Sequence, residues 1–346
     1  MGKRIEYHSG FSRPEVYWRP TTGAFSAVTM RDAGPGRYPG ERRWEVILPA
    51  DSGMNVQFYF SDAQGRDPRR RYYETALDYI FVQDGQLFDY QPASRVSPPS
   101  RAYSEHDVPS LRSRHLGESR RFRVYLPRGY RQHTHKRYPV LYMHDGQNIF
   151  DQGSFGSWNA QRTLDRVIAR GQVKELIVVA VDSGPNRFND YVPPEDGGRA
   201  DAYARFLVDE LKPYIDARFR TMPQPEHTGI LGSSLGGVVS LYLGWDFFHV
   251  FRQVGAMSGS WWLRRFRTRI LNERKRPIRF YLDTGDSGIY NDGVHHAEEF
   301  RNALLEKHEF ELGDDFAYLL AHRHEHNEKA WETRLPQALR FLFPAA

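Results

Sequence analysis

From about residue 105 onward the sequence repeats one pattern, in which a short and continuously apolar run is followed by a loop and then by a segment with helical periodicity. The apolar runs lie at residues 140–143, 176–181, 229–231, 254–257, 280–282 and 316–320. Residues 203–211 are typical of the helical segments between them. Strands that are apolar throughout are buried on both faces, as happens when helices cover both sides of a mostly parallel sheet. The pattern predicts an α/β domain over residues 105–346.

Residues 1–100 show a different pattern, with strand signals and no helical periodicity. Runs rich in aromatic and β-branched residues are separated by glycine-containing turns, and Asp84-Gly85 is a strong hairpin signal. We expect a small all-β sandwich module, immunoglobulin-like or starch-binding-like, over these residues. Residues 90–100, with three prolines and three serines, are predicted to be a linker.

Composition and charge limit the classes of function. The 346-residue chain has no cysteine, which excludes disulfides, thiolate metal ligands and cysteine nucleophiles. Its net charge of +5 comes from arginines that are interspersed with Asp and Glu, so we expect no nucleic-acid partner. No run approaches the roughly 18 apolar residues of a membrane-spanning helix, and the first residues lack the apolar segment of a secretory signal. A cytoplasmic location without membrane association is expected.

Residues 228–237 contain the one Gly-x-Ser-x-Gly pattern of the chain, formed by Gly232, Ser234 and Gly236. An apolar strand run precedes it and a helix-compatible run follows it. A tight strand-to-helix turn strains the backbone of its central residue, and glycines on either side remove the side chains that would clash. Such a nucleophile elbow would present the Ser234 hydroxyl at the carboxyl end of the sheet and aim the Leu235 N–H at the same space. A plain Gly/Ser turn is the alternative.

A serine nucleophile needs a base, and the base needs a carboxylate that orients it. On this kind of fold the chain order is serine, acid, histidine. Residues 281–288 form a strand that runs into a glycine turn, and we choose Asp286 as the acid, with Asp283 and Asp292 as alternatives. The candidate histidines after Ser234 are His295, His296, His308, His322, His324 and His326. His326 follows the last strand run and precedes a helix that begins near residue 327, so we choose it as the base.

His322, His324 and His326 alternate along the chain and, on an extended strand, would face one way as a metal cluster. We interpret His322 and His324 instead as solvated loop histidines. The chemistry predicted here needs no metal and no organic cofactor.

Acyl transfer also needs two hydrogen-bond donors for the developing oxyanion. The Leu235 N–H is one of them. The loop after the strand run at 140–143 has the sequence HDGQN at residues 144–148, and its glycine lets the backbone approach closely. We therefore predict that the Gln147 N–H is the second donor, with the Gly146 N–H as the other option. An Asp-Gly turn selected only for its conformation is the alternative.

Four stretches together resemble the esterase family of α/β-hydrolases that includes esterase D, feruloyl esterases and enterochelin esterase. They are residues 123–130, residues 138–148, the elbow at residues 232–237, and His326-Asn327-Glu328 followed by Trp331. The resemblance covers residues 105–346 and implies an α/β-hydrolase fold in which Ser234 is the nucleophile and His326 the base. It implies Asp286 as the acid, through a loop whose length varies within the family. Modules similar to the predicted β-sandwich precede some of these esterases.

Three residues are expected to contact the substrate. Trp261 and Trp262 are adjacent, and neighbouring side chains on an extended chain point to opposite sides, so one indole is expected to face the pocket. Asp145 belongs to the predicted oxyanion loop. The arginine-rich residues 264–276 are interpreted as a solvated helix face, with attraction of an anionic substrate as the alternative.

Together these features predict a carboxylic ester hydrolase, a serine esterase that acts through an acyl-enzyme with a Ser-His-Asp triad. The expected partner is a small-molecule ester substrate, anionic or sugar-linked, and an exposed edge of the β-module is compatible with a homodimer. A non-catalytic protein that binds carbohydrate or an anion on a hydrolase scaffold is the alternative. Its sugar-stacking surface would consist of aromatic residues that are more simply interpreted as core of the β-sandwich: Trp18, Trp44, Tyr72 and Tyr73.

Overall fold

The structure, a computed structural model, describes residues 2–35, 42–62, 65–67, 72–83, 86–88, 104–130, 133–150 and 155–345. The predicted linker at 90–100 and the predicted turn at 84–85 lie outside these residues. The chain forms two compact units. The first unit comprises Met1–Ser97, Asp283–Val294 and Phe310–Glu325, and the second comprises Pro98–Leu282, His295–Glu309 and His326–Ala346. The division predicted from the sequence, at residues 100–105, stays a prediction.

The strands, numbered in chain order, are β1 (Lys3–Ser9), β2 (Glu15–Pro20), β3 (Ser26–Thr29), β4 (Arg31–Pro35), β5 (Arg42–Leu48), β6 (Val56–Asp62), β7 (Gly65–Asp67), β8 (Tyr73–Thr75), β9 (Tyr79–Gln83), β10 (Gln86–Phe88), β11 (Ser104–Arg112), β12 (Ser119–Tyr125), β13 (Val140–His144), β14 (Ile177–Val181), β15 (Thr228–Ser233), β16 (Gln253–Met257), β17 (Arg279–Gly285) and β18 (Phe316–Ala321). The α-helices are α1 (Ala160–Ala169), α2 (Arg187–Tyr191), α3 (Ala200–Arg205), α4 (Lys212–Arg218), α5 (Leu235–Asp246), α6 (Arg264–Asn272), α7 (Val294–Lys307) and α8 (Glu328–Leu342). Each of the six predicted apolar runs forms one of the strands β13–β18.

The first unit is built from two sheets. One has the strand order β10-β9-β1-β5-β4, and the other contains β18-β8-β6-β2-β3 with β7 paired to β6. The Tyr7 ring on β1 stacks on the Phe60 ring on β6 with their centroids 3.8 Å apart, so aromatic side chains fill the space between the sheets. Described residues up to Phe88 contain no helix, which confirms the predicted all-β character.

Four aromatic residues of this unit were assigned either to the core or to a sugar-binding surface. Trp44 and Tyr73 are buried, whereas Trp18 and Tyr72 are half-buried. The core interpretation is therefore confirmed for two of them. One strand pairing was not predicted: β18 lies antiparallel to β8, with Leu320 opposite Glu74.

The second unit is a sheet covered by helices. Its strand order is β11-β12-β14-β13-β15-β16-β17. The four central strands run parallel, and β12 and β11 are antiparallel additions at one edge. All five side chains of β13 and all five of β14 are buried, as expected of strands with helices on both faces. The predicted α/β architecture is confirmed.

A buried group of charges fixes the position of α2. The Arg120 guanidinium on β12, which is 2% exposed, pairs with Glu118 at 2.8 Å and with Asp190 on α2. Asp190 is fully buried and also accepts a hydrogen bond from Arg199 Nε at 2.7 Å. A Cβ on Gly184 would lie 1.4 Å from Arg120 Nη1, so only glycine leaves room for this cation. Ionic contacts, rather than apolar packing alone, hold this short helix on the sheet.

Replacing Arg120 with methionine should destabilise the protein by about 3 kcal/mol, because a buried Asp190 would keep only one of its cationic partners. Urea unfolding followed by tryptophan fluorescence measures the change. The exposed neighbour Arg121→Met is the matched control and should stay within about 0.5 kcal/mol of the parent. Equal stabilities for the two variants would show that the buried ion pair contributes nothing to the fold.

Candidate active site

Three loops of the second unit lie side by side because they follow adjacent parallel strands. Met143 on β13 is in register with Leu231 on β15, and Ser233 on β15 is in register with Met257 on β16. The carboxyl ends of parallel strands share one edge of the sheet, which is where ligands bind in open α/β folds. The turn at 145–148, the elbow at 234 and the loop at 258–262 therefore meet at one edge.

The backbone of Ser234 has the conformation expected of a nucleophile elbow. Its φ is 57° and its ψ is −125°, values that an L-residue avoids and that cost on the order of 1–3 kcal/mol. A Cβ on Gly232 would lie 2.8 Å from the Gly236 carbonyl. A larger residue would therefore clash with the backbone, which explains the predicted need for glycine. Helix α5 begins at Leu235, whose N–H is among the first of the helix and has no partner within it.

A buried histidine supports the elbow from behind. His144 is 1% exposed, its Nδ1 lies 2.9 Å from the Tyr203 hydroxyl, and a Cβ on Gly232 would lie 2.9 Å from its Cδ2. Burial lowers the pKa of His144 to about 3, and the nearby Arg187 cation acts in the same direction. His144 is therefore neutral at physiological pH and fills space beneath the elbow.

The predicted oxyanion loop is a tight turn locked at both ends. A Cβ on Gly146 would lie 2.6 Å from the Ala180 carbonyl, which confirms that the turn requires close backbone approach. The side-chain amide of Gln147 donates from Nε2 to Ser183 Oγ and accepts from the Ser183 N–H through Oε1, both at 3.0 Å. The first hydrogen bond inside the turn comes from the Asn148 N–H to the Asp145 carbonyl at 2.9 Å. The turn thus has a fixed conformation in which the N–H groups of residues 146 and 147 begin a helical turn.

Asp145, predicted to contact substrate, is bound by a cation of the same unit. The Arg187 Nε and Nη2 atoms donate to its two carboxylate oxygens at 2.6 and 2.8 Å. Burial alone would lower the pKa of the Arg187 guanidinium, but the hydrogen bonds and charge of Asp145 raise it overall. This bidentate pair places a neutralised carboxylate beside the elbow, since a Cβ on Gly236 would lie 3.4 Å from Asp145 Oδ2. Arg187, which follows Asp145 by 42 residues, was not predicted as a site residue.

The N-terminus of α8, which follows His326, is tied to the loops on both sides of the elbow. Glu328 accepts a hydrogen bond from Asn148 Nδ2 at 3.1 Å, and Trp331 Nε1 donates to Ser258 Oγ at 3.0 Å. The exposed His326 ring lies edge-on against the Trp331 ring, with centroids 5.1 Å apart. Because Asn148 follows β13 and Ser258 follows β16, these contacts hold the first turns of α8, directly after His326, at the edge of the sheet where Ser234 lies.

The three candidate acids belong to the first unit, with Asp283 near the end of β17 and with Asp286 and Asp292 in the segment that follows it. The Asp286 carboxylate lies 2.6 Å from His322 Nδ1 and accepts a second hydrogen bond, from the Arg323 N–H, at 2.7 Å. The Asp292 carboxylate accepts from the Gly285 N–H, and Asp283 is fully buried on β17. The structure therefore brings Asp286 together with His322, a histidine to which the sequence analysis gave no role.

The interpretation of two histidines as solvated is wrong. His322 is 1% exposed and His324 is 4% exposed. His322 is buried because Asp286 accepts from its ring on one side and the Tyr73 ring packs edge-on against it at 4.8 Å. Among the described residues, no group of three His, Asp or Glu side chains could hold a metal ion.

The two adjacent tryptophans differ in exposure. Trp261 is 1% exposed and stacks near Phe300 at 4.7 Å, whereas Trp262 is 50% exposed. The two indoles thus lie in different environments, and Trp262 is the one accessible to a ligand. In the arginine-rich segment, Arg264, Arg265 and Arg274 are exposed, as expected of a solvated face. Arg269 is half-buried and pairs with Glu195 and with Asp246 at 2.7 and 2.9 Å.

Comparison with known proteins places the second unit in a family. Residues 113–342 match the family model described as "Putative esterase". The protein YbbA of Bacillus subtilis (strain 168) is 26% identical over 160 residues, which cover 43% of this chain and 60% of YbbA. An endo-1,4-beta-xylanase/feruloyl esterase of Xylanibacter ruminicola is 29% identical over 150 residues, which cover 42% of this chain and 20% of that protein. The chain thus spans less than two thirds of the length of these relatives.

Solved structures share the fold over most of the chain. The enterobactin esterase of Shigella flexneri, crystallised in the presence of enterobactin, is 18% identical, covers 96% of this chain and 88% of its own, and has a TM-score of 0.57. Since the family model matches well over half of the residues, the chain belongs to this esterase family, and its second unit has the α/β-hydrolase fold. Among the described residues, none of the helices has the length and apolarity required to cross a bilayer.

The buried His144 should make stability depend on pH. Its pKa is about 3 in the folded protein and near 6.5 in the unfolded chain, so between these values only the unfolded chain binds the proton. The free energy of unfolding should therefore fall on acidification below pH 6.5, by up to about 1.4 kcal/mol per pH unit. In His144→Gln this contribution should vanish, which urea unfolding at pH 5, 6 and 7 measures. Parallel pH curves for parent and variant would contradict a neutral buried imidazole.

Proposed function

We propose that this protein is a carboxylic ester hydrolase that acts through an acyl-enzyme on Ser234. Support comes first from the strained elbow, which combines a half-exposed hydroxyl with a free helix start at Leu235. It comes second from membership of the esterase family. The observation that carries the proposal is the φ of 57° at Ser234, since backbone strain of this kind persists where function requires it.

In the proposed reaction Ser234 Oγ attacks the ester carbonyl carbon while its proton moves to the His326 imidazole. The charge that develops on the carbonyl oxygen is bound by the N–H groups of Leu235 and Gln147. The C–O bond to the leaving alcohol then breaks, and His326 returns the proton to the alcohol. A water molecule attacks the acyl-enzyme by the same sequence of proton transfers and releases the acid. The contacts of α8 with the loops beside the elbow support His326 as the base.

Asp286 is proposed to orient the His326 imidazole and to stabilise its charged form. The proposal rests on chain order and on the position of Asp286 in the glycine turn after β17. Asp283 and Asp292 remain the alternatives. Asp286 is the most accessible of the three, with 12% of its side chain exposed, whereas Asp283 and Asp292 are 0% and 4% exposed.

The proposed substrate is a small-molecule carboxylic ester. A relative carries the name feruloyl esterase and a structural neighbour that of enterobactin esterase, so aromatic acyl groups are the first class to test. The half-exposed Trp262 is proposed to stack on such a ring. Sugar-linked and anionic esters are the two further substrate classes to test. Comparing kcat/KM for p-nitrophenyl acetate, methyl ferulate, enterobactin and an acetylated xylan would rank these classes.

Ser234→Ala should abolish hydrolysis of p-nitrophenyl acetate and covalent labelling by a fluorophosphonate probe, because no other group is proposed to form the acyl-enzyme. Mass spectrometry of the parent protein should show one adduct per chain, and the labelled tryptic peptide identifies the modified residue. The neighbouring Ser233→Ala is the control and should label in full. A parent protein that takes up no label at all would instead favour the non-catalytic binding protein.

Asp286→Asn should lower kcat by about 10³-fold, since a triad without its acid loses the correct imidazole tautomer. Asp283→Asn and Asp292→Asn should each lower kcat by less than tenfold if the variant still folds, which circular dichroism checks. The matched control is His322→Gln, which removes the partner of Asp286 while leaving the carboxylate. A loss in His322→Gln as large as that in Asp286→Asn would mean that Asp286 acts only by holding His322.

A further inference from the structure

A second hydroxyl lies beside the nucleophile. Ser260 Oγ is 3.3 Å from Ser234 Oγ, and either atom can be the donor. Ser260 is 8% exposed and follows β16, the strand next to the one that ends at the elbow. The sequence analysis assigned it no role, because it is separated from Ser234 by 26 residues and matches no motif.

The backbone fixes this pair of hydroxyls. The Ser260 N–H donates to the Ser234 carbonyl at 3.1 Å, and the Ser234 N–H donates to the Met257 carbonyl at 3.0 Å. Both peptide groups of the nucleophile are therefore held, one by the last residue of β16 and the other by the loop after it. With the backbone fixed on both sides, the Ser260 side chain stays within reach of Ser234 Oγ throughout the reaction.

The chemistry of the two hydroxyls is not symmetric during the reaction. Each free hydroxyl has one donor and two acceptor sites. When Ser234 loses its proton to the base, and again when it carries an acyl group, its Oγ has no hydrogen to donate. At those stages a hydrogen bond between the two oxygens requires that Ser260 be the donor. A distance of 3.3 Å is long for a neutral hydroxyl pair, and such contacts tighten when one partner becomes charged.

We propose that Ser260 is a catalytic donor to Ser234 Oγ, an inference that rests on the proposed function. Its hydrogen bond stabilises the negative charge on Ser234 Oγ as the O–C bond forms in acylation. It stabilises the same atom as a leaving group when that bond breaks in deacylation. Ser260 keeps its own proton throughout, and every proton transfer runs between Ser234, His326, the leaving alcohol and water.

Ser258, two residues earlier in the same loop, provides a control. Its hydroxyl is 1% exposed and accepts hydrogen bonds from Trp331 Nε1, at 3.0 Å, and from Arg334 Nη2. Ser258 therefore fastens the loop to α8. Ser258→Ala should therefore lower the melting temperature, which Ser260→Ala should leave unchanged.

The test is stopped-flow hydrolysis of p-nitrophenyl acetate by the full chain, which gives the acylation and deacylation rates separately. Ser260→Ala should lower both rates about tenfold, with an unchanged melting temperature, and Ser260→Thr should restore them to within about threefold. The rate of inactivation by the fluorophosphonate should also fall about tenfold in Ser260→Ala, while the final labelling stays at one adduct per chain.

Two results would overturn the proposal. The first is Ser260→Ala rates within twofold of the parent. The second is a loss of rate that Ser260→Thr does not restore, or that comes with a lower melting temperature, because either would assign Ser260 a structural role. If Ser234→Ala itself keeps its activity, the proposed function fails instead, and that outcome is separate from any result with Ser260.

Discussion

The strained backbone of Ser234 is the constraint on which the rest of the second unit depends. A φ of 57° on a residue with a side chain persists only when its surroundings enforce it. Here the end of β16 and the loop after it hold both peptide groups, and glycine on one side permits contacts that any Cβ would block. Neutral His144 fills the space beneath, where a charged side chain would be costly. Each of these features serves to hold one hydroxyl at the end of one strand.

The parts of this arrangement that the sequence predicted are the local ones. Gly232 and Gly236 flank Ser234 within five residues, so the glycines that the tight turn requires can be recognised from the local sequence. The same holds for the apolar runs of β13–β17, whose burial on both faces leaves a continuous pattern. In the first unit, aromatic and β-branched runs predicted the strands for the same reason.

The parts that the sequence did not predict depend on contacts between distant residues. Arg187 binds Asp145 across 42 residues of sequence, and Asp286 contacts His322 across 36. Pairs so far apart in the sequence produce no local pattern from which they could be predicted. Because histidine is polar, His322 and His324 were interpreted as exposed, although hydrogen bonding and ring contacts allow them to be buried. The pairing of β18 with β8 was missed because strand periodicity gives the burial of a strand but not its neighbour.

The attachment of α8 has a consequence for how this protein loses activity. The helix carries the residue after His326 as its N-cap, and two hydrogen bonds, from Asn148 and to Ser258, fasten its first turns to the sheet edge. Helix ends open locally at a smaller free-energy cost than the whole domain. Fraying of this one terminus would withdraw the imidazole of His326, the proposed base, while the elbow stays intact. Inactivation under mild denaturant should then precede the loss of helical signal, with the proposed nucleophile still folded in place.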